Sequence, residues 1–138
     1  MSRENVEIVR RVYDAAARRD TEEILALYHP DVEWDGTRTR WAEVLAGTSQ
    51  FRGHEELQKF FRKYYEMWES FEDDVQELID SGDSVVSVVT SRGRGRASGV
   101  DVEWAGNSGV WTIRDGKVIR VVWFPSREEA LEAVGLRE

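Results

Sequence analysis

The chain has 138 residues, no cysteine and a formal net charge of −8 at pH 7. This composition excludes disulfides, a thiol nucleophile and a thiolate metal site. It also argues against nucleic acid and anionic membranes as partners, because both recruit a basic surface. No apolar run approaches the roughly 20 residues of a membrane span, and no signal-peptide pattern is present. We therefore expect a single domain over residues 1–138, located in the cytoplasm.

Two helices and a short strand are predicted for the first quarter of the chain. Apolar residues recur at helical spacing in residues 2–19. Asp20, with Glu23 three residues later, has the position of an N-cap in a capping box, and Pro30 ends this second, short helix. Residues 31–35 alternate between charged and apolar side chains, which predicts a strand.

A long connection and the clearest helix come next. The connection runs from Gly36 to Phe51 and contains Trp41, and loops of this length are often lids or binding loops. Residues 53–68 are predicted to form a helix with one aromatic face. Such a face is typical of a core, but it also suits a pocket, and both interpretations stay open. The face consists of Leu57, Phe60, Phe61, Tyr64, Met67 and Trp68.

The last half of the chain, residues 69–124, is predicted to be an antiparallel meander rich in Val, Ile and Trp. Asp115-Gly116 is a strong signal for a two-residue hairpin turn. This turn would pair Trp111 with Arg120. A second turn at Ser98-Gly99 would pair Arg94 with Glu103 across the strands. A bulge is expected at Gly106 or Gly109.

The strand at residues 118–124 is apolar on both faces, which indicates that both faces are covered. One cover should be the chain's own helices, and we expect the other to be a second subunit. After Pro125, Ser126 and Glu129 form a capping box that opens a short C-terminal helix.

Three stretches together resemble the SnoaL-like branch of the nuclear transport factor two-like superfamily. They are ENVEIVRRVYDAAARRDTEEILALYHPDVEW, FRGHEELQKFFRKYYEMW and VWTIRDGKVIRVVWF. The resemblance implies an α+β fold in which a curved, mostly antiparallel sheet wraps a long helix and encloses a cone-shaped pocket, with helices before the first strand and a short C-terminal helix. It also implies a homodimer through the outer face of the sheet. Relatives include ketosteroid isomerase, polyketide cyclases, scytalone dehydratase and limonene epoxide hydrolase.

The resemblance carries few functional residues over to this chain. Tyr13 and Asp35 fall near the positions where the isomerase has a tyrosine and an aspartate, each one residue away. The region of the isomerase's second aspartate is AGNSG here, in which Asn107 is the only polar amide.

Acid/base chemistry without metal or cofactor is the activity these residues suit best. Asp35, beside Trp34 in an apolar cone, would have a raised pKa and could act as a general base, although the residues favour the alternative of a solvated carboxylate at a strand end or turn before Gly36. Tyr64 or Tyr13 could donate to a developing oxyanion. The predicted catalytic residues are Asp35 and Tyr64. The predicted ligand-binding residues are Tyr13, Trp34, Trp41, Phe60, Tyr64, Trp68, Asn107, Trp111 and Trp123.

Three functions remain open at this point. The first is an isomerase, cyclase, dehydratase or hydrolase acting on a small hydrophobic molecule. The second is a protein that binds an apolar ligand without changing it, and the third is a dimerisation module. A buried carboxylate next to a second polar group and to open volume would favour the first function.

Overall fold

The computed structural model describes residues 2–39 and 49–136. Four helices and six strands follow one another in these ranges, and residues 40–48 of the predicted long connection, which include Trp41, lie outside them. The helices are α1 (Ser2–Ala17), α2 (Thr21–Leu27), α3 (Gly53–Met67) and α4 (Arg127–Ala133). The strands are β1 (Tyr28–Asp35), β2 (Gln50–Arg52), β3 (Trp68–Asp80), β4 (Ser84–Gly95), β5 (Asp101–Arg114) and β6 (Lys117–Phe124).

The predicted fold class is confirmed: the protein is α+β, with one curled sheet in the order β2-β1-β6-β5-β4-β3. β1 and β6 are parallel, and the other neighbours are antiparallel. Register shifts interrupt four of the five pairings. Bulges of this kind bend and twist strands, so the sheet curls over α1 and α3.

The short helices begin at the predicted caps. The carboxylate of Asp20 accepts a hydrogen bond from the backbone N–H of Glu23 at 3.1 Å, and the hydroxyl of Ser126 accepts one from Glu129 at 3.2 Å. Each bond satisfies an N–H that the first turn of a helix leaves without an intrahelical partner. No helix in the described part of the chain is long and apolar enough to cross a membrane.

The hairpin between β5 and β6 corrects the predicted register. Asp115 and Gly116 both have positive φ, 52° and 76°, as the predicted turn requires. A register shift then follows the first two pairs, and Trp111 pairs with Val121 instead of Arg120. The shift brings Trp111 to the same face of the sheet as Trp123.

The hairpin between β4 and β5 is two residues wider than predicted. Arg94 pairs with Asp101 and not with Glu103, and it is Arg92 that pairs with Glu103. Because this displacement is even, Arg92 and Arg94 keep their predicted faces, whereas a register shift between Val89 and Ser91 changes the pairing by one residue farther along β4. Arg96 is released from the ladder, and its guanidinium donates to the carbonyl oxygens of Glu66 and Trp68 where α3 ends.

Helix α4 covers one part of the outer face of the sheet. Ala130 and Leu131 pack on Val86 and Val110, and all four are buried. The guanidinium of Arg127 holds the helix to β3 through Glu77 at 2.6 Å. The chain's own helix α4 therefore covers the second apolar face, for which a second subunit was expected. The homodimer remains a prediction, but the two apolar faces of β6 no longer argue for it.

Candidate functional site

A cavity of about 110 Å³ lies between the inner face of the sheet and helices α1 and α3. Apolar cavities near 150 Å³ accommodate a benzene-sized molecule, so this cavity suits a small, flat ligand. No lysine or arginine is among the described residues that line it. Ten aromatic rings form most of its wall: Tyr13, Tyr28, Trp34, Phe60, Phe61, Tyr64, Tyr65, Phe71, Trp111 and Trp123.

The rings also pack on one another, which holds the wall in place. Trp34 lies 4.9 Å from Phe60 and 6.1 Å from Trp123 between ring centroids, and Trp111 meets Trp123 at 5.7 Å, nearly edge to face. Such contacts add about 0.5–1.5 kcal/mol each beyond the area they bury. The cavity is therefore a stable hollow in the aromatic core.

Two acidic residues of β3 line this cavity, Glu72 and Asp73; the Glu72 side chain is 71% exposed, so the carboxylate buried at the cavity is that of Asp73. Its Oδ1 accepts a hydrogen bond of 2.5 Å from the hydroxyl of Ser91 on β4, which also lines the cavity. Burial raises the pKa of Asp73 above its ordinary value, and the Ser91 hydrogen bond opposes this rise only in part. A carboxylate that holds its proton more tightly is a stronger base when ionised.

Phenols surround this carboxylate. The pKa values of Tyr13 and Tyr64 are raised well above the ordinary value, first by burial and then by the negative charge of Asp73. Burial and Asp73 also raise the pKa of Tyr65 to about 12, against the guanidinium of Arg19, which lies 5.6 Å from the centre of its ring. All three phenols are therefore protonated at neutral pH.

A hydrogen-bond chain fixes Tyr13. The indole N–H of Trp111 donates to the fully buried hydroxyl of Ser87 at 2.8 Å, and that hydroxyl lies 2.9 Å from the phenol oxygen of Tyr13. Gly109 leaves room for this chain, because a Cβ there would lie 2.8 Å from the Trp111 nitrogen. All three polar groups of this chain, on Trp111, Ser87 and Tyr13, therefore have a hydrogen-bond partner within the protein.

Trp123 differs from Trp111 in this respect. It is only 8% exposed, and its indole nitrogen is buried with no hydrogen-bond partner among the described residues. Nearby on the cavity wall lies Asn107, which is 6% exposed. A buried N–H without an acceptor costs about 1–3 kcal/mol, so Trp123 keeps an unmet donor inside the packed wall of the cavity.

Seven of the sequence-predicted residues line the cavity, and their part in ligand binding stays a prediction. They are Tyr13, Trp34, Phe60, Tyr64, Asn107, Trp111 and Trp123. Trp68 does not line it; its ring lies over β4, where a Cβ on Gly93 would come within 2.7 Å. Trp41 lies outside the described residues.

Asp35 does not line the cavity either. Its carboxylate accepts hydrogen bonds from the backbone N–H and the hydroxyl of Thr37 at 2.9 and 2.7 Å, and Arg38 lies 3.5 Å away. Partial burial would raise its pKa, but the Thr37 bonds and the Arg38 charge outweigh it, so the pKa is lowered. The expected rise in the pKa of Asp35 is wrong, because the carboxylate ends a strand within reach of donors and a cation.

Sequence reasoning missed Asp73 and Ser91. Asp73 stands in the acidic run EDD, which looks like a solvated edge strand. The signal was strand parity: Asp73 is two residues from Phe71 and two from Val75, and all three are partly buried while their neighbours are exposed. A carboxylate on the apolar face of a strand points to a site.

The SnoaL-like domain model matches residues 9–121. With the curled sheet and its cavity, this match shows that the protein belongs to the SnoaL-like family, within the NTF2-like fold. No curated protein matches the chain with significance.

Solved structures agree with this assignment. The crystal structure of TerC co-crystallised with polyporic acid is similar at 25% identity and a TM-score of 0.77, over 95% of this chain and 98% of that one. An NTF2-like protein of unknown function from Burkholderia pseudomallei K96243 has the same identity and TM-score, over 96% and 98%. An NTF2-like protein from Burkholderia xenovorans LB400 is 29% identical, with a TM-score of 0.72 over 90% of each chain.

Proposed function

We propose that the protein binds a small, largely apolar molecule in the aromatic cavity and that Asp73 acts on it as a general base without a cofactor. The observation that carries this proposal is the Asp73 carboxylate, which meets both the cavity and the Ser91 hydroxyl. A base of raised pKa in an apolar pocket is an arrangement that acid/base catalysis requires.

The chemistry follows from the groups around the cavity. Ionised Asp73 takes a proton from a carbon or hydroxyl of the ligand, and the electron pair left behind moves onto a ligand oxygen. The protonated phenols of Tyr13 and Tyr64 supply hydrogen-bond donors for that developing charge. Asp73 then returns its proton to a second position of the ligand, so the protein ends the cycle unchanged.

The family supports this proposal at a coarser level. The SnoaL-like fold is of a small-molecule-binding type, and the similar protein TerC was crystallised with polyporic acid. The sequence predicted Asp35 as the general base. We assign this role to Asp73 instead, because Asp73 lines the cavity and Asp35 does not.

A probe reaction tests the base directly. 1,2-Benzisoxazole is a small, flat carbon acid: a base removes its ring proton while the N–O bond breaks, and 2-hydroxybenzonitrile forms. We expect the purified protein to accelerate this elimination, and Asp73→Asn to lose about 10²- to 10⁴-fold, the usual contribution of a general base. The rate should fall as pH drops through the raised pKa of Asp73, because only the ionised carboxylate accepts a proton.

Asp35→Asn is the matched control, since it makes the same change outside the cavity and should retain the wild-type rate. An Asp73→Asn protein as active as the wild type would overturn the catalytic role. Binding of the probe without turnover at any pH would instead support the non-catalytic ligand-binding alternative.

A further inference from the structure

A second, open pocket of about 420 Å³ lies where α3 faces the turn between α1 and α2. Three arginines line this arginine pocket, Arg19, Arg62 and Arg96, against a single acid among its described lining residues, Glu66. The chain as a whole has 27 acidic and 19 basic residues, so the excess of positive charge here is local. Guanidinium groups recognise carboxylates and phosphates through paired N–H donors, so the pocket suits an oxyanion.

Arg19 has a backbone conformation that arginine does not favour. Its φ is 55°, and the chain turns after α1 with the backbone N–H of Asp20 donating to the carbonyl oxygen of Ala15 at 2.8 Å. Glycine is the usual residue at this left-handed position, because a side chain there is strained. The guanidinium carbon of Arg19 lies 5.6 Å from the centre of the Tyr65 ring. An arginine at a position where glycine is less strained indicates that its charge has a function in this pocket.

The charges of these arginines are only partly engaged within the protein. Arg19 and Arg62 form no ion pair with an acid in the described ranges, whereas Arg18, one position before Arg19, is held by two acids. Arg96 donates to two backbone carbonyl oxygens at the end of α3, both at 3.0 Å. A guanidinium has more N–H groups than these two bonds use, so Arg96 is fixed in place and keeps donors for a ligand.

The arginine pocket and the aromatic cavity share Tyr65 in their walls. Ala17, two residues before Arg19, lines the cavity and is exposed, so the cavity reaches the surface on this side. The charged groups among the described residues that line the cavity are Glu72 and Asp73, and both would repel an anion. An elongated ligand can therefore place an apolar body in the cavity and an anionic end outside it, beside Tyr65.

We infer that the arginine pocket binds the carboxylate or phosphate of a ligand whose apolar body occupies the aromatic cavity. This inference rests on the proposed function and deepens it, because it gives the ligand of that cavity a charged end. The arginines then select the ligand and set its orientation, while Asp73 acts on the part inside the cavity.

Three probes with the same phenylbutyl body test the inference. 4-Phenylbutyrate ends in a carboxylate, 4-phenylbutyl phosphate ends in a phosphate, and 4-phenylbutan-1-ol is the neutral reference. Isothermal titration calorimetry at low salt gives their dissociation constants. We expect at least one anion to bind about five- to thirtyfold more tightly than the alcohol, the ratio that charge-assisted hydrogen bonds at a partly exposed site give. The advantage should shrink in about 0.5 M salt, and the tighter anion identifies which oxyanion the pocket prefers.

Two variants and a matched control assign the effect to the pocket. Arg62→Gln should weaken anion binding about two- to fivefold, the usual size of one exposed ion pair. Lys63→Gln removes the same charge from the next residue of α3, which does not line the pocket, and should bind the anions as the wild type does. Arg19→Gly should also weaken anion binding, yet leave the midpoint of urea unfolding unchanged or higher, because glycine suits the left-handed backbone. The alcohol should bind equally to all of these proteins.

The outcomes separate this inference from the proposed function. Equal affinity of the wild type for the alcohol and both anions would overturn the inference and leave the cavity as a binding site. Equal weakening of anion binding by Lys63→Gln and Arg62→Gln would also overturn it, because only the overall charge would then matter. Lower stability of Arg19→Gly with unchanged anion binding would overturn the role given to Arg19. Failure of all three probes to bind would contradict the proposed function as well.

Discussion

The two faces of the sheet carry different kinds of apolar residues, and they pack differently. On the outer face, valines from β4 and β5 pack against α4 with Ala130 and Leu131 fully or nearly fully buried. On the inner face, the aromatic rings leave a cavity of about 110 Å³, which the partly buried Asp73 also lines.

Side-chain shape explains the difference. Small aliphatic side chains interdigitate to the density of an organic crystal, whereas large planar rings that meet edge to face leave gaps. On the inner face, the polar side chains of Asp73 and Ser91 therefore border a cavity that is large enough for a small ligand. The packing against α4 therefore stabilises the outer face, whereas the inner face lacks the packing contacts that would fill its cavity.

The largest expected effect comes from breaking the outer face. Leu131→Ala should lower the free energy of unfolding by about 2–4 kcal/mol, because it removes three heavy atoms from a closed core. Urea denaturation measures this loss. Ligand binding in the cavity should survive at temperatures where the variant remains folded, since Leu131 does not line it.

Leu136→Ala serves as the control, because Leu136 is only partly buried against the same cluster. It should cost clearly less than Leu131→Ala. A loss below about 1 kcal/mol for Leu131→Ala would mean that α4 does not close this face. Light scattering on the wild type would then decide whether a second subunit covers it instead.

Substitutions on the inner face should lower the free energy of unfolding less, and by different amounts at the two buried tryptophans Trp111 and Trp123. Trp111→Phe should cost about 2 kcal/mol, because it breaks the bond to Ser87 and opens space beside it. Trp123→Phe should cost less than about 1 kcal/mol, because removal of an unmet buried donor offsets the lost packing. Equal losses in urea denaturation would contradict the difference between the two donors.

Much of this architecture follows from local sequence signals. The caps at Asp20 and Ser126, the turn at Asp115-Gly116 and the aromatic face of α3 depend on a few neighbouring residues, and the structure has each of them. The pairing beyond the first residues of the β5–β6 hairpin was wrong, because one bulge displaces every later pair. Bulges depend on how the whole sheet curls, which no short window of sequence contains.

The site was predictable only in part for a similar reason. Its aromatic residues are abundant, so seven predicted positions fall on the cavity wall. The position of a single carboxylate depends on which face a strand presents, and β3 is bulged at two points. Asp35 and Asp73 could not be told apart by composition, although their pKa values shift in opposite directions.

The opposite pKa shifts of Asp35 and Asp73 predict a smaller effect, which is a change in how stability depends on pH. Because the pKa of Asp73 is raised by folding, the folded state holds this proton after the unfolded chain has lost it. The stability contributed by this group is therefore full below its ordinary pKa of 3.8 and falls as pH rises towards the folded pKa. Asp73→Asn should remove this fall and be more stable than wild type at neutral pH, as urea denaturation between pH 3 and pH 8 would show.

Asp35→Asn should do the opposite. The pKa of Asp35 is lowered by folding, so its contribution is present above the ordinary pKa and is lost as pH falls through the folded value. Removing it should destabilise the protein at neutral pH and leave stability near pH 3 less changed. If both variants shift the profile in the same direction, the two carboxylates do not have the contrasting environments described.

The smallest change in the free energy of unfolding is expected at the charged, solvent-exposed part of the outer face. Beyond α4, β4 presents Arg92 to Glu103 at 3.2 Å and to Glu72 and Asp74 at 3.8 and 4.0 Å, and all of these side chains are well exposed. Exposed ion pairs contribute about 0–1 kcal/mol, so Arg92→Ala should change the free energy of unfolding by less than about 1 kcal/mol, and less still in 0.5 M salt. A loss as large as that of Leu131→Ala would mean that this charged end is as much a structural element as the apolar end, and that the outer face is uniform.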